Sequence, residues 1–215
     1  MNRKEEMENI IKAITQCTKC PLYKYRRNPV PGEGPLDAEI MFIGEAPGAS
    51  EDEQGRPFVG AAGKLLTELL EKNEIKRSSV YITNIIKCRP PGNRDPEERE
   101  INACLPYLIK QISIIKPKLI VTLGRHAGRI IYKLIGRNFQ SMSKEHGKLI
   151  EGTIKEIGLS ITVIPTFHPA AALYKPDMRR ILEEDFKVIR EFITSRKEGK
   201  SRGKNITLDI FLKTK

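Results

Sequence analysis

Short runs of apolar residues along the chain alternate with segments in which apolar residues recur every three or four positions. The short runs end at glycine or polar residues, which predicts buried strands at 38–43, 80–84, 118–123 and 160–165. The recurring spacing predicts helices, which lie at 4–15 and 176–195 and through 65–70, 101–112 and 130–134. Because strands and helices alternate, the pattern predicts an α/β fold with a parallel sheet and helices on both faces.

Three irregular segments follow strands of this predicted sheet, at 44–48, 84–94 and 166–173. Parallel sheets place their binding sites on the loops that leave the carboxyl ends of the strands. We therefore expect the functional residues in these three loops. After the second loop, the residues of 95–98 combine an Asp cap, a first-turn proline and two glutamates, which predicts a helix start.

The net charge of the chain indicates which class of partner it binds. The 215 residues carry a formal net charge of +11, with a pI near 9.5, which favours a polyanion such as nucleic acid. No apolar run approaches the roughly 18–20 residues of a membrane span, and the N-terminus lacks the apolar core of a signal peptide. We expect an intracellular, cytoplasmic protein without a membrane partner. Many Lys and Glu, few Gln and no Trp resemble a thermophile composition.

Four cysteines form a candidate metal site. Cys17 and Cys20 have C-x₂-C spacing and Pro21 follows them, whereas Cys88 and Cys104 lie far along the chain. Four thiolates can hold a structural zinc ion or an iron–sulfur cluster. From spacing alone the cluster is favoured over zinc, and four buried core cysteines remain the third interpretation.

The three loops, and the segment 51–60 that follows the first of them, offer side chains that each have two interpretations. Glu45 in Gly44-Glu-Ala-Pro-Gly48 is a surface residue of a tight turn or a carboxylate directed into a pocket. Phe58 is a core aromatic or a stacking platform for a base. Asn84 ties a turn or reads the edge of a base, and His168 is a solvated loop histidine or a group placed for chemistry.

Taken together and in order, these motifs resemble the family 4 uracil-DNA glycosylases of bacteria and archaea. The match runs from Cys17 to Leu173 through C-x₂-C, GEAPG, GRPFVG, TNxxKC, a fourth cysteine and HPA. The resemblance implies a three-layer α/β/α fold around a four-stranded parallel sheet, built by residues 1–195 as one domain. It also implies a [4Fe–4S] cluster on the four cysteines with a structural role, and uracil-containing DNA as the partner of a monomeric enzyme.

The same resemblance implies roles for the loop residues. Phe58 would stack on a flipped uracil, and Asn84 would hydrogen-bond its N3/O4 edge beside the backbone of Gly44–Ala46. His168 would donate a hydrogen bond to the charge that develops on uracil O2. At Ala46, family 1 enzymes have an aspartate, so Glu45 is assigned to positioning water or stabilising the sugar cation. Leu173 is the candidate wedge for the vacated stack, or an ordinary core leucine.

Two other functions are compatible with parts of this pattern. A family 5 enzyme shares the cluster and accepts more bases, but it characteristically lacks a polar side chain at the position of Glu45. A non-catalytic iron–sulfur module that binds nucleic acid would keep the cysteines and the basic charge without needing Glu45, Asn84 and His168 together.

The last segment, 196–215, carries a net charge of +5 and predicts a flexible tail. Apolar residues return in it with the spacing of a sliding-clamp-binding peptide, Gln-x-x-Leu-x-x-Phe-Phe. The matching positions are Asn205, Leu208, Phe211 and Leu212. The replication clamp is therefore an expected second partner, and a terminal helix turn or strand docked on the enzyme is the alternative.

Overall fold

A computed structural model describes the backbone of residues 2–211 and the side chains of residues 2–196. It contains five strands, namely β1 (Ile40–Gly44), β2 (Tyr81–Asn84), β3 (Leu119–Leu123), β4 (Ile150–Ile154) and β5 (Leu159–Thr166). Its helices are α1 (Arg3–Thr15), α2 (Ala49–Gln54), α3 (Ala61–Lys72), α4 (Glu98–Ile115), α5 (Arg125–Leu134), α6 (Met142–Glu145) and α7 (Pro176–Phe211). The predicted strands and long helices are therefore present, and their ends are shifted by a few residues, except that α7 continues well beyond its predicted end at 195.

The five strands form one sheet in the order β2-β1-β3-β5-β4. The four predicted strands are parallel to one another and almost wholly buried, which is why each is a continuous apolar run. The expectation of four strands is wrong by one, because β4 adds an antiparallel edge strand beside β5. The sequence pattern did not predict β4, because Gly152 occupies one of its half-buried positions and no apolar side chain marks it. Alternating half-buried and exposed residues are typical of an edge strand.

Apolar side chains pack on both faces of this sheet. Helices α1, α4 and α5 cover one face, with residues such as Ile14, Leu108 and Ile131 in the shared core. Helices α3 and α7 cover the other face, where Leu66 and Phe186 are fully buried. The architecture is therefore a three-layer α/β/α fold, and it confirms the predicted fold class.

The predicted start of α4 needs a correction. The helix begins at Glu98 after the cap residue Glu97, and the backbone N–H of Glu97 donates to the carboxylate of Glu100 at 2.8 Å. Arg94 holds the same buried carboxylate through two hydrogen bonds of 2.9 and 2.7 Å. Asp95 is therefore not the cap, because its carboxylate binds residues of α5 instead.

Helix α7 begins at Pro176, as predicted. The side chains that follow residue 196, and all of residues 212–215, lie outside the described part of the structure. The predicted clamp motif at Asn205, Leu208, Phe211 and Leu212 falls there and stays a prediction, as does the boundary between domain and tail. Among the described residues, no helix is long and apolar enough to cross a membrane.

The packing of α3 on the sheet yields a stability prediction. Leu66→Ala should lower the free energy of unfolding by about 2–5 kcal/mol, because Leu66 is fully buried and its truncation leaves a cavity. Leu149→Ala is the matched control, since half of that side chain is exposed (50%), and it should change stability by less than about 0.5 kcal/mol. Urea unfolding of both variants checks this. Equal losses would mean that α3 does not pack as described.

Candidate active site

A cavity of about 330 Å³ opens at the carboxyl edge of the sheet, where β1, β2 and β5 end. Five of the residues singled out from sequence line it, namely Glu45, Ala46, Phe58, Asn84 and His168. Gly44 lies behind this wall, between Asn84 and Phe58. The structure thus brings together in one cavity residues that are spread over more than 120 positions of the chain.

Asn84 forms the base of the cavity. It ends β2 in register with Gly44 of β1, and its side chain is only 1% exposed. Its Oδ1 atom has no hydrogen-bond partner among the described residues. A buried carboxamide oxygen without a partner is costly unless a ligand supplies a donor.

Gly44 permits the close approach of two cavity walls. A Cβ atom at this position would lie 2.3 Å from Asn84 Oδ1 and 2.7 Å from the Phe58 ring. Any larger residue would therefore displace the amide or the aromatic ring. The first glycine of the GEAPG motif is required by packing.

Phe58 supplies a flat aromatic wall and has an unusual backbone. Its φ is +52°, a conformation that is strained for a bulky residue, and its side chain is 6% exposed. Gly63 on α3 lies directly behind it, and a Cβ atom there would be 1.9 Å from the Phe58 carbonyl oxygen. The Phe58 and His168 rings are 5.7 Å apart with 31° between their planes.

Glu51 is a cavity residue that sequence analysis did not select. Its carboxylate accepts hydrogen bonds from the backbone N–H groups of Gly48 (3.1 Å), Val59 (2.9 Å) and Gly60 (2.9 Å). It thereby ties the loop after β1 to the loop that carries Phe58. Its position three residues after the last glycine of GEAPG was the available signal, since Glu is typical at the third position of a helix.

His168 is held in one tautomer. Its Nδ1 accepts a hydrogen bond from the backbone N–H of Ala170 at 3.2 Å, so that the proton of the neutral ring is on Nε2. Burial lowers the pKa of His168 to about 4, and the nearby Glu51 carboxylate opposes this only partly. The residue is therefore a neutral Nε2–H donor at the cavity wall at any pH near neutrality.

Glu45 contacts a charged cluster that no sequence signal predicted. His126 Nε2 lies 3.9 Å from Glu45 Oε2 and 3.2 Å from Asp95 Oδ2, and Arg125 donates a 2.6 Å hydrogen bond to the same Asp95 oxygen. Burial and Asp95 raise the pKa of Glu45, while His126 and Arg125 oppose the shift. Asp95 and His126 are 31 residues apart. The pairing of β1 with β3 brings His126 to Glu45, and Asp95 comes from the segment that follows β2, the other neighbour of β1.

Leu173 lies just beyond the cavity, after the turn Pro169–Ala172. Its side chain is half-buried and packs against the core beneath α7. The next residue, Tyr174, is 90% exposed. The structure therefore places Leu173 near the cavity mouth with part of its surface free, and its role as a wedge stays a prediction.

The four predicted cysteine ligands line one small pocket on the other side of the β2 loop. Cys88 Sγ accepts a hydrogen bond from Arg26 Nη1 at 3.2 Å, and Cys104 Sγ accepts one from the backbone N–H of Lys87 at 3.3 Å. Burial raises the pKa of the Cys104 thiol to about 11. Such thiols are deprotonated near neutral pH only when a metal replaces the proton. The Arg26 guanidinium and the absence of carboxylates from the described lining suit a negatively charged metal–thiolate group. The residues therefore fit a metal or cluster.

Lys87 links the cysteine pocket to the cavity. The residue is buried, and its ammonium donates to Thr83 Oγ1 (2.6 Å), to the backbone oxygen of Asn84 (2.7 Å) and to Gln111 Oε1 (2.8 Å). Gln111 belongs to α4, the helix that carries Cys104. The segment that ends in Asn84 is therefore fixed to the helix that holds a cysteine.

Comparison with known proteins agrees with this geometry. Residues 31–192 match the Uracil DNA glycosylase superfamily. The Type-4 uracil-DNA glycosylase of Sulfurisphaera tokodaii is 54% identical over 97% of this chain and 91% of its own length. The Type-4 uracil-DNA glycosylase of Thermotoga maritima is 46% identical over 92% of this chain and 98% of its own.

A relative of the alternative family is more distant. The Type-5 uracil-DNA glycosylase of Pyrobaculum aerophilum is 27% identical over 76% of this chain and 82% of its own length, whereas the Type-4 enzyme of the same organism is 48% identical over 84% and 91%. The fold, the cavity at the carboxyl edge of its sheet and these similarities agree: the chain belongs to the Type-4 uracil-DNA glycosylases of the Uracil DNA glycosylase superfamily.

Proposed function

We propose that this protein is a DNA repair enzyme that hydrolyses the N-glycosidic bond of uracil in DNA, releasing uracil and leaving an abasic site. The observation that carries the proposal is the buried, unpartnered Asn84 carboxamide oxygen in a cavity walled by Phe58 and by the Nε2–H donor of His168. A nucleobase offers a flat face for the Phe58 ring, a hydrogen-bond donor for Asn84 Oδ1 and an acceptor for the N–H group of His168.

Asn84 would distinguish uracil from cytosine. Uracil presents an N3–H donor and an O4 acceptor, which match a carboxamide that accepts through Oδ1 and donates through Nδ2. Cytosine presents an N3 acceptor and an exocyclic amino donor at the same edge, so that both hydrogen bonds would be lost. Because the amide is buried, a mismatched base leaves polar groups unpaired at a cost of about 1–3 kcal/mol each.

Bond cleavage separates a sugar with oxocarbenium character from a uracil anion. We assign to the neutral His168 ring a hydrogen bond from Nε2 to uracil O2, where negative charge develops. We assign to the Glu45 carboxylate the opposite end of the bond, where it would orient the attacking water or stabilise the sugar cation. Glu45 serves either role only when ionised, and His126 and Arg125 favour that state against the effect of burial.

The base must leave the DNA stack to reach this cavity. The net charge of +11 provides a sequence-independent attraction to phosphates, and Leu173 beside the mouth would fill the vacated space.

Glu45 and the lower identity to Type-5 enzymes favour the Type-4 reaction over the broader one. The combined cavity residues favour an enzyme over a module that only binds DNA.

We further propose that Cys17, Cys20, Cys88 and Cys104 hold a [4Fe–4S] cluster. The cluster would join three separate segments of chain and would take no part in the reaction at the uracil cavity. Its support is the convergent set of four thiols with N–H donors at two of the sulfurs. A structural zinc ion is the alternative that the same ligands allow.

Replacement of Asn84 tests the uracil assignment. Asn84→Asp keeps the shape of the side chain but removes the Nδ2 donor, and the single-turnover rate of uracil release should fall about 10²-fold or more. Binding to uracil-free DNA should be unchanged, because phosphate contacts lie elsewhere. Asn9→Asp, an exposed residue of α1, is the matched control and should act like wild type.

The readout is a uracil-containing oligonucleotide, cleaved with alkali after incubation. A wild-type protein that leaves no alkali-labile site would overturn the proposed function. Asn84→Asp with a wild-type rate would remove Asn84 from the site while leaving the function intact.

The pH dependence tests Glu45 and its neighbours. Activity should fall as the pH drops through the pKa of Glu45, which burial holds above the usual carboxyl value, whereas His168 titrates only near 4. His126→Gln removes the imidazole whose interaction lowers the pKa of Glu45, so the acid limb of kcat/KM should move up by about one pH unit with an unchanged plateau at pH 8. His126→Lys supplies a cation at this position and should retain the wild-type limb.

Lys76→Gln, which is exposed in a turn and has no ion pair to Glu45 among the described residues, is the control for loss of a positive charge. A uniform loss of activity at every pH in His126→Gln would assign His126 a purely structural role.

Metal analysis tests the cysteine pocket. Protein purified without oxygen should be brown and contain about four iron atoms per chain. Cys88→Ser should lose iron and unfold at lower temperature, because metal binding and folding are linked. Thr18→Ala, which lies between the first two cysteines, should keep the iron. One zinc ion per chain in a colourless protein would contradict the cluster.

A further inference from the structure

A second, larger concavity lies beside the uracil cavity, between the start of α4 and the length of α5. Its volume is about 590 Å³. Arg94 lines the uracil cavity and Pro96 lines this groove, so that the two sites share the short segment around Asp95. Asp95 in turn binds Arg125 and His126 at the first turn of α5. The groove therefore begins at the rim of the candidate active site.

One wall of the groove is basic. Arg129 and Lys133 of α5 line it at four-residue spacing, together with Arg137 after the helix, and Arg125 lies four residues before Arg129 outside the lining. Within the described residues, Arg129 and Lys133 have no carboxylate within 4.0 Å, whereas Arg125 is paired with Asp95. Two free cations in a concave wall attract an anion more strongly than paired charges on a convex surface do.

The floor of the groove is apolar and contains an aromatic ring. Ile101 and Ile130 line it with Phe139, whose half-buried ring is fixed edge-on against Tyr132 at 5.1 Å and 86°. Glu98 is the one acidic residue among the described lining residues. Basic side chains above an aromatic floor are the arrangement that binds single-stranded nucleic acid, with phosphates on the cations and a base on the ring.

We propose that this groove holds a single-stranded segment of the substrate DNA next to the flipped nucleotide. Arg129 and Lys133 contact its phosphates and Phe139 stacks on one of its bases. The inference rests on the proposed function, since its occupant is the DNA that carries the uracil. A duplex does not fit the same role, because its bases are paired inside and cannot reach the floor.

The size of the groove limits its occupant. From His126 to Lys133, the first and last residues of α5 that line the groove, the helix rises by about 10 Å, at 1.5 Å per residue. At a rise of about 3.4 Å per nucleotide, this length accommodates roughly three nucleotides. The groove is therefore a short extension of the active site, and DNA outside it contributes the remaining contacts.

Equilibrium binding to a uracil-free single-stranded 12-mer tests the proposal without relying on catalysis. The double variant Arg129→Gln/Lys133→Gln should bind about tenfold more weakly at low salt. The slope of log K against log salt concentration should decrease by about 1.4, which corresponds to two lost phosphate contacts on a single strand. Lys76→Gln/Lys155→Gln is the matched control and should retain affinity and slope. Both lysines are exposed in turns before β2 and β5, at the amino ends of the parallel strands and therefore opposite the carboxyl edge.

Phe139→Leu separates stacking from charge. It should weaken binding about fivefold or more without changing the salt slope, because it removes a ring and no cation. Its melting temperature is measured alongside, and the charge variants carry the test if Phe139→Leu does not fold. With a single-stranded uracil oligonucleotide, the charge variant should show a raised KM and an unchanged rate at saturation.

If Arg129→Gln/Lys133→Gln and its control lose the same affinity for the single strand, or if neither loses any, the proposal that this groove binds single-stranded DNA is wrong. A larger loss on duplex than on single-stranded DNA would also overturn it, because this face would then contact a duplex. If wild-type protein releases no uracil but the variants still lose single-strand binding, the proposed function fails and the groove stands. If uracil is released normally while binding is unaffected, only the groove fails.

Discussion

The close approach of β1 and β2 at Gly44 is the constraint on which the candidate site depends. The two strands pair in register, so that the backbone of Gly44 lies against the Asn84 carboxamide and the Phe58 ring without a side chain between them. The Phe58 loop is in turn fixed from behind by Gly63 and from the side by the Glu51 carboxylate. The cavity walls are therefore positioned by backbone packing and by the half-buried Glu51 carboxylate, and the strained φ of Phe58 is maintained by these surroundings.

The electrostatics of the cavity follow from burial. A histidine that loses its solvent becomes neutral, and the Ala170 N–H then decides which ring nitrogen keeps the proton. A carboxyl group that loses its solvent also tends toward its neutral form, and here His126 and Arg125 oppose that tendency. In the proposed reaction, the same environment would provide a neutral donor at one end of the scissile bond, while at the other end His126 and Arg125 limit the rise in the pKa of Glu45 that burial causes.

The cysteine pocket and the uracil cavity lie at the two ends of one short segment, residues 84–88. Asn84 faces the cavity and Cys88 the pocket, and Lys87 between them is bonded to the Asn84 carbonyl and to α4. Arg94 and Glu100 fasten the other end of the same loop to α4. A group bound by the four cysteines would therefore stabilise the loop that carries Asn84, which gives a structural cofactor a physical route to the site.

The sequence by itself determined the four buried parallel strands, the main helices, the four-cysteine set and the loops that carry Glu45, Phe58, Asn84 and His168. Continuous apolar runs and glycine-rich turns report local burial and backbone freedom, which are properties of neighbouring residues. Only the tertiary structure decided the rest. The edge strand β4 alternates in burial but has Gly152 at a half-buried position, so its apolar pattern in the sequence is incomplete. Asp95 binds α5 instead of capping α4, and His126 reaches Glu45 because β1 and β3 are adjacent. The contacts of Asp95 and His126 join segments that are distant along the chain, and no local pattern encodes such contacts.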